Sequence, residues 1–208
     1  MKRFLNGFIG LLFICSTAHV VASAEEDLSK RLKAIETFSA AFTQIISDPS
    51  GEEIQSTSGL VQLKTPGLFY WQVNPPFEQL VVANQQFLWV YDADLEQVTI
   101  SDRQKLDNSP AQILSGDFSS LGDQYSVTEK KQKGGNLYRL KALVDNNQTF
   151  TELLFEFSNQ SLLTGMKLTD RLGQVTSVLF SEIKLNTGIA DTVFEFGTPE
   201  GVDIIVNE

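Results

Sequence analysis

The chain has 208 residues, with 16 lysines and arginines against 26 acidic residues and a formal charge of −10. That balance argues against nucleic acid and against anionic lipid surfaces, because both are bound by Lys and Arg neutralising phosphates. Its one cysteine (Cys15) and one histidine (His19) both fall in the first two dozen residues. Beyond them there is no thiol nucleophile, disulfide or imidazole base. Zinc sites built from His and Cys, and His-based triads, are therefore excluded. Acid–base work near neutral pH is left to carboxylates, Lys and Tyr.

Lys2 and Arg3 precede an apolar run from Phe8 to Cys15, and Ala22-Ser23-Ala24 supplies a small-x-small pattern just before Glu25-Glu26-Asp27. This predicts a Sec signal peptide over residues 1–24, cleaved after Ala24, with export across the inner membrane. The apolar run is shorter than a bilayer span. Cys15 follows Phe13 and Ile14 rather than small residues, which argues against a lipidation site. Cleavage removes two basic residues and no acidic one, so the mature chain is more acidic still. Residues 25–208 suit one domain with a sizeable core.

Leu28, Leu32, Ile35, Phe38 and Phe42 follow the rhythm of one apolar helical stripe, behind an acidic first turn at Glu25, Glu26 and Asp27. Phe42, Gln44 and Ile46 alternate as well, so the element turns towards strand somewhere in 38–46. After Pro49-Ser50-Gly51 the pattern has period two for most of the chain. Candidate strands are 54–64, 68–73, 79–83, 87–91, 95–101, 123–129, 137–144, 149–157, 162–169 and 173–185, separated by breaks such as Pro66-Gly67, Asn74-Pro75-Pro76 and Gly134-Gly135-Asn136. Roughly ten short strands with tight connections read as a mainly β fold, an antiparallel sandwich or barrel. Residues 102–121 break the rhythm. There Ser109-Pro110-Ala111-Gln112-Ile113-Leu114-Ser115-Gly116 reads as a short helix with Ser109 as N-cap and Gly116 as its end. Two roles fit it: a plug or lid, or a surface connection that buries Ile113 and Leu114.

Large rings crowd two strands. Phe69, Trp71 and Val73 share one face of the first, and Phe87, Trp89 and Tyr91 share one face of the second. Neither opposite face is cleanly polar, so such a sheet must be covered on both sides. Ordinary β core and a lined cavity both fit the composition. Asp92, Asp94 and Glu96 lack the glycine and distant glutamate of a calcium loop and read as a solvated turn. Ser119, Ser120 and Ser158 have no histidine to activate them, and Lys130, Lys131 and Lys133 mark a hairpin tip. No metal, cofactor or catalytic group is expected.

Several strings match one family in order along the chain. Phe38-Ser39-Ala40-Ala41-Phe42-Thr43-Gln44 resembles the F-x-A-x-F-x-Q opening of the LolA family of periplasmic outer-membrane lipoprotein carriers, and Pro66-Gly67-Leu68-Phe69-Tyr70-Trp71 resembles its P-x-x-F-x-W strand. Leu88-Trp89-Val90-Tyr91-Asp92, Leu95-Glu96-Gln97-Val98, the 109–116 segment and Phe196 followed by Pro199-Glu200-Gly201-Val202-Asp203 are similar to further family segments. The resemblance implies a strongly curved, unclosed antiparallel β-barrel with an N-terminal helix and a short helical lid over a hydrophobic cavity. It implies a monomeric carrier without enzymatic activity. Such a carrier accepts outer-membrane lipoproteins from the inner-membrane Lol ABC transporter, shields their acyl chains in the periplasm and delivers them to the outer-membrane acceptor LolB. On this resemblance Phe38, Phe42, Phe69, Trp71, Trp89, Tyr91, Ile113 and Leu114 line the lipid cavity.

One position departs from the family pattern. Where many members place an arginine that latches the lid through backbone carbonyls, this chain has Thr65. A single hydroxyl replaces five donors, so a weaker latch is expected, with Arg103 and Lys105 as substitutes by position. The alternatives are a periplasmic barrel for another lipid or hydrophobic small molecule, and a hydrolase relying on Asp92 and Asp94.

Overall fold

The computed structural model describes residues 23–102, 125–143 and 150–207. The first element, helix α1 (Ala24–Lys33), starts in a capping box. The Ser23 hydroxyl accepts from the Glu26 amide, and the Glu26 carboxylate accepts from the Ser23 amide, each at 3.2 Å. Acidic residues in its first turn and Lys30, Arg31 and Lys33 in its last complement the helix dipole.

The helix is shorter than its apolar stripe suggests. Phe38 and Phe42, expected on that stripe, belong to strand β1 (Thr37–Ser47). The reason is tertiary: β1 pairs along its length with a strand on each side, and two full ladders outweigh a continued helical stripe.

The sequence-derived strands are all present: β2 (Glu53–Lys64), β3 (Leu68–Val73), β4 (Gln79–Ala83), β5 (Phe87–Asp92), β6 (Gln97–Asp102), β7 (Tyr125–Gln132), β8 (Gly135–Ala142), β9 (Phe150–Ser158), β10 (Leu163–Asp170) and β11 (Val175–Leu185). A last strand, β12 (Asp203–Asn207), has no counterpart in the alternation pattern. All belong to one sheet of order β12-β6-β5-β4-β3-β2-β1-β11-β10-β9-β8-β7. Every pairing is antiparallel except β12 with β6. The ends of this order, β12 and β7, do not pair, so the sheet is an unclosed barrel.

Burial alternates along the strands and divides the sheet into two faces. The inner face gathers one continuous cluster: Leu28, Leu32 and Ile35 from α1, with Phe38, Phe42, Val61, Leu63, Phe69, Trp71, Tyr138, Leu153, Phe155, Phe157, Met166 and Phe180 from the strands. At about 25 cal/mol per Å² of apolar surface removed from water, this cluster is the main source of stability.

The outer face is apolar too, over β3–β6, and it is covered by the C-terminal segment. A 3-10 turn at Asp191–Phe194 packs there, with Phe194, Val82 and Val98 all nearly inaccessible. Phe196 stacks on Trp89 with ring centroids 6.0 Å apart. Lys64, which faces outward on β2, holds the turn through an ion pair with Asp191 at 2.5 Å.

Candidate functional site

Strand register decides which rings meet. Leu63 lies opposite both Phe38 and Phe69, and Val61 lies opposite Ala40 and Trp71, so these side chains share the inner face. Phe42 and Trp71 stack with centroids 3.8 Å apart, Trp71 and Phe69 lie nearly parallel at 6.2 Å, and Phe38 meets Phe180 edge-on at 5.3 Å. All four expected residues on β1 and β3 are at most 6 % exposed. The Phe42 ring can lie this close to the sheet because its cross-strand partner is Gly59. A Cβ there would sit 2.8 Å from the Phe42 ring and 1.8 Å from the Gln72 carbonyl oxygen.

Trp89 and Tyr91 do not join them. Trp71 lies opposite Val81, which lies opposite Val90, so on β5 the inner residues are Leu88 and Val90. Trp89 faces outward opposite Val82 and Ile100, and Tyr91 faces outward opposite Leu80 and Val98. The assignment of Trp89 and Tyr91 to the same cavity as Phe69 and Trp71 is thus corrected. Both strands are apolar on both faces, so alternation alone gives their period without giving their sense. The expected Ile113 and Leu114, like Arg103 and Lys105, lie outside the described residues.

Thr65 sits at the exit of α1. Its hydroxyl lies 3.2 Å from the Ile35 and Glu36 carbonyl oxygens, and its amide donates to the Glu36 carbonyl at 2.8 Å. Asn186, which the sequence reading passed over, completes the same junction. Its side-chain amide donates to Ala34 O at 2.9 Å, and its carbonyl accepts from the Glu36 amide at 2.8 Å. These contacts satisfy backbone groups that a helix end leaves unpaired. Thr65 therefore does bond backbone carbonyls, those of the α1–β1 connection.

At its other end α1 is tied down by a polar network. Tyr138, fully buried on β8, donates to the Asp27 carboxylate, and Arg31 Nε donates to Asp27 at 2.8 Å and to Tyr138 Oη at 2.9 Å. The Arg31 guanidinium also lies over the rings of Tyr138 and Phe157 at 5.7 and 5.6 Å and reaches Ser161 Oγ at 2.9 Å. Partial burial pushes the Asp27 carboxyl up, but the hydrogen bonds from Tyr138 and Arg31 and the Arg31 charge outweigh it, leaving the group below its ordinary 3.8. Burial, and then the bond to Asp27, raise the Tyr138 hydroxyl.

Beyond Phe42 and Val73 the inner face ends in a pocket of about 320 Å³, lined by Gln44, Ile46, Gln55, Thr57, Val73, Phe77, Glu78, Gln79, Asp92 and Asp94. Of Asp92 and Asp94, both expected in a solvated turn, Asp94 stands exposed in the β5–β6 turn while Asp92 is the partly buried last residue of β5, paired with Gln79, and both border this pocket. Asp92 Oδ1 accepts from the Leu95 amide at 3.1 Å. Among the described residues no group of three His, Cys, Asp or Glu is gathered closely enough to hold a metal ion. Nothing in the alternation pattern marks the pocket, because its amides and carboxylates come from four different strands and two turns.

A family model described as outer membrane lipoprotein carrier protein LolA matches residues 33–197. An outer-membrane lipoprotein carrier protein of Hahella chejuensis is 40% identical over 194 residues, covering 91% of this chain and 92% of its own. One from Azotobacter vinelandii is 37% identical over 202 residues, covering 94% and 97%. Among solved structures, a LolA superfamily protein from Nitrosomonas europaea aligns over 85% of this chain and 99% of its own, at 16% identity and a TM-score of 0.47.

Proposed function

Since this chain belongs to the LolA family of outer membrane lipoprotein carriers, we propose that it carries outer-membrane lipoproteins across the periplasm of a Gram-negative bacterium, with their acyl chains held against the inner face of the sheet. The observation that carries this reading is the similarity to named carriers across more than nine-tenths of the chain. The geometry supports it through one continuous aromatic and aliphatic surface on an unclosed sheet, where rings offer broad contact without a polar lock on any one lipid.

Each buried methylene is worth about 0.8 kcal/mol, so several acyl chains do not cross water unaided at a useful rate. The inner face must bind them well enough to extract them and loosely enough to release them. Phe38, Phe42, Phe69 and Trp71 are so little exposed that acyl chains reach them only when the face opens. Ile113 and Leu114, outside the described residues, are proposed as further acyl-chain contacts. The carrier performs no chemistry and needs no cofactor. It accepts cargo from an inner-membrane ABC transporter, the Lol complex, and passes it to the acceptor lipoprotein LolB. Export needs the signal peptide over residues 1–24. Cleavage after Ala24 would remove Ser23 and with it the capping box of α1, leaving Glu25 as the new terminus.

The test is a release assay. Spheroplasts carrying a newly made outer-membrane lipoprotein are incubated with the purified mature protein, and the soluble fraction is examined. A soluble one-to-one complex is expected, and Phe69→Leu, which keeps the buried position apolar while removing the ring, should reduce its yield while the protein stays folded. Lipoprotein retained in the membrane, with folded carrier and an active transporter, would point instead to a barrel for some other hydrophobic ligand.

A further inference from the structure

The two ends of the sheet are finished differently. At one end β7 carries Glu129, Lys130 and Lys131, charges of the kind that keep an edge strand from pairing with another chain. At the other end β12 reads Asp203-Ile204-Ile205-Val206-Asn207, and its three apolar residues are 55, 43 and 62 % exposed in chain order. Consecutive β-branched residues on an edge strand without a lysine form a template for a further strand.

The backbone shows which groups that edge offers. The Asp203 amide donates to the Glu96 carbonyl at 2.8 Å, and β12 runs parallel to β6 with Asp203 opposite Gln97. In a parallel ladder alternate residues bond the neighbour, so Asp203, Ile205 and Asn207 turn their amides and carbonyls to β6. Those of Ile204 and Val206 turn to the outer edge, where no described strand meets them. Their side chains stand beside Val98 and Ile100 on the outward face, and that of Ile205 stands on the opposite face.

This arrangement is self-complementary. When β12 meets a second β12 antiparallel with Ile205 at the centre, Ile204 of each copy lies opposite Val206 of the other. Opposed residues whose groups face each other exchange both bonds, so this register makes four hydrogen bonds within the strand pair. A register that sets Ile204 opposite itself, or Val206 opposite itself, makes only two. The centred register also matches apolar side chains with apolar ones, and Asp203 with Asn207 rather than with another Asp203.

We propose that β12 pairs antiparallel with β12 of a second copy of this chain, about a twofold axis at Ile205, giving a reversible monomer–dimer equilibrium. The pairing joins two sheets edge to edge and leaves the aromatic cluster on β1 and β3 of each copy untouched. A five-residue strand pair covers well under the standard interface of about 800 Å² per partner, so the dimer is weak. The inference goes beyond the carrier reading, does not depend on it, and replaces the strict monomer implied by the family resemblance.

Residues 25–208 contain no cysteine, which makes single-cysteine variants clean probes of the pairing. Across the axis the two Ile205 Cα atoms lie about 4.5 Å apart, within disulfide reach. The two Ile204 Cα atoms are staggered by two residues and lie about 8 Å apart, beyond it. In purified mature protein under mild oxidation, Ile205→Cys should therefore cross-link about ten-fold faster than Ile204→Cys. Sedimentation of the unmodified protein should show its mean mass rising towards two chains between about 10 µM and 1 mM, the range of a weak interface. Ile205→Lys sets two ammonium groups together at the axis and should hold the mass at one chain, with the circular dichroism of the wild type. Equal cross-linking at both positions, a single-chain mass at every concentration, or a dimer that survives Ile205→Lys would overturn the proposal. No lipoprotein enters these measurements, so the carrier reading stands or falls separately in the release assay.

Discussion

Where β8 and β9 meet α1, the inner face is fastened by directional contacts: Tyr138 to Asp27, Arg31 to both, and Arg31 to Ser161. Across β1, β2 and β3 the contacts are ring against ring, with Phe42 on Trp71 and Phe69 beside it and no polar anchor between them. Hydrogen bonds fix an orientation, whereas dispersion and hydrophobic contact accept any surface of similar shape. An acyl chain can replace a ring as a neighbour of Trp71, but it cannot replace Asp27 as the partner of Tyr138. The first half therefore suits a fixed wall, and the second a surface that exchanges its own packing for lipid.

The sharpest way to break this comparison is to remove the ring at the centre of the exchangeable half. Trp71→Ala should cost about 3–5 kcal/mol of stability, read as a lower denaturant midpoint. Added lipopeptide should restore part of the loss by filling the space. No rescue by ligand would mean that Trp71 is core and nothing more.

A smaller effect is expected at the fastened half. Tyr138→Phe removes the hydroxyl that Asp27 and Arg31 share and should cost about 1–3 kcal/mol. Hydrogen exchange should rise in the amides of α1 while those of β1 to β3 change little. A uniform rise across the sheet would show that α1 and the aromatic half open together.

The smallest effect is set by pH. Asp27 has a folded pKa below its ordinary 3.8, so its contribution is complete above that value and is lost as pH falls through the lower, folded one. As pH falls below about 4, the protection of α1 amides relative to their intrinsic exchange rates should drop by up to about five-fold in the wild type, the range of a partly exposed ion pair. Asp27→Asn should flatten that dependence. A wild-type profile without any acid limb would place the strength of the junction in the Arg31 ring contacts instead.

Much of the architecture was legible because local chemistry repeats it. Period-two alternation located β2 to β11, Gly and Pro marked the breaks, and the acidic first turn located α1. The face shared by Phe69 and Trp71 could be read because both stand on one short strand two residues apart. Phe38 and Phe42 could not be placed as surely: spacing of four fits a helix and a strand alike, and only the ladders to β2 and β11 settled the matter.

What the sequence determined by itself is everything that depends on neighbours along the chain: the mainly β class, the turns, the absence of thiol and imidazole chemistry beyond residue 24, and the family strings. Tertiary structure alone decided which face of β5 looks inward, which put Leu88 and Val90 inside and Trp89 and Tyr91 outside. It also decided that the C-terminal segment rather than a helix covers the outer face, that Thr65 and Asn186 close one helix end, and that Gln44, Thr57, Gln79 and Asp92 share a pocket. Each of these depends on register between strands distant in sequence, and a strand apolar on both faces carries no signal of which way it is turned.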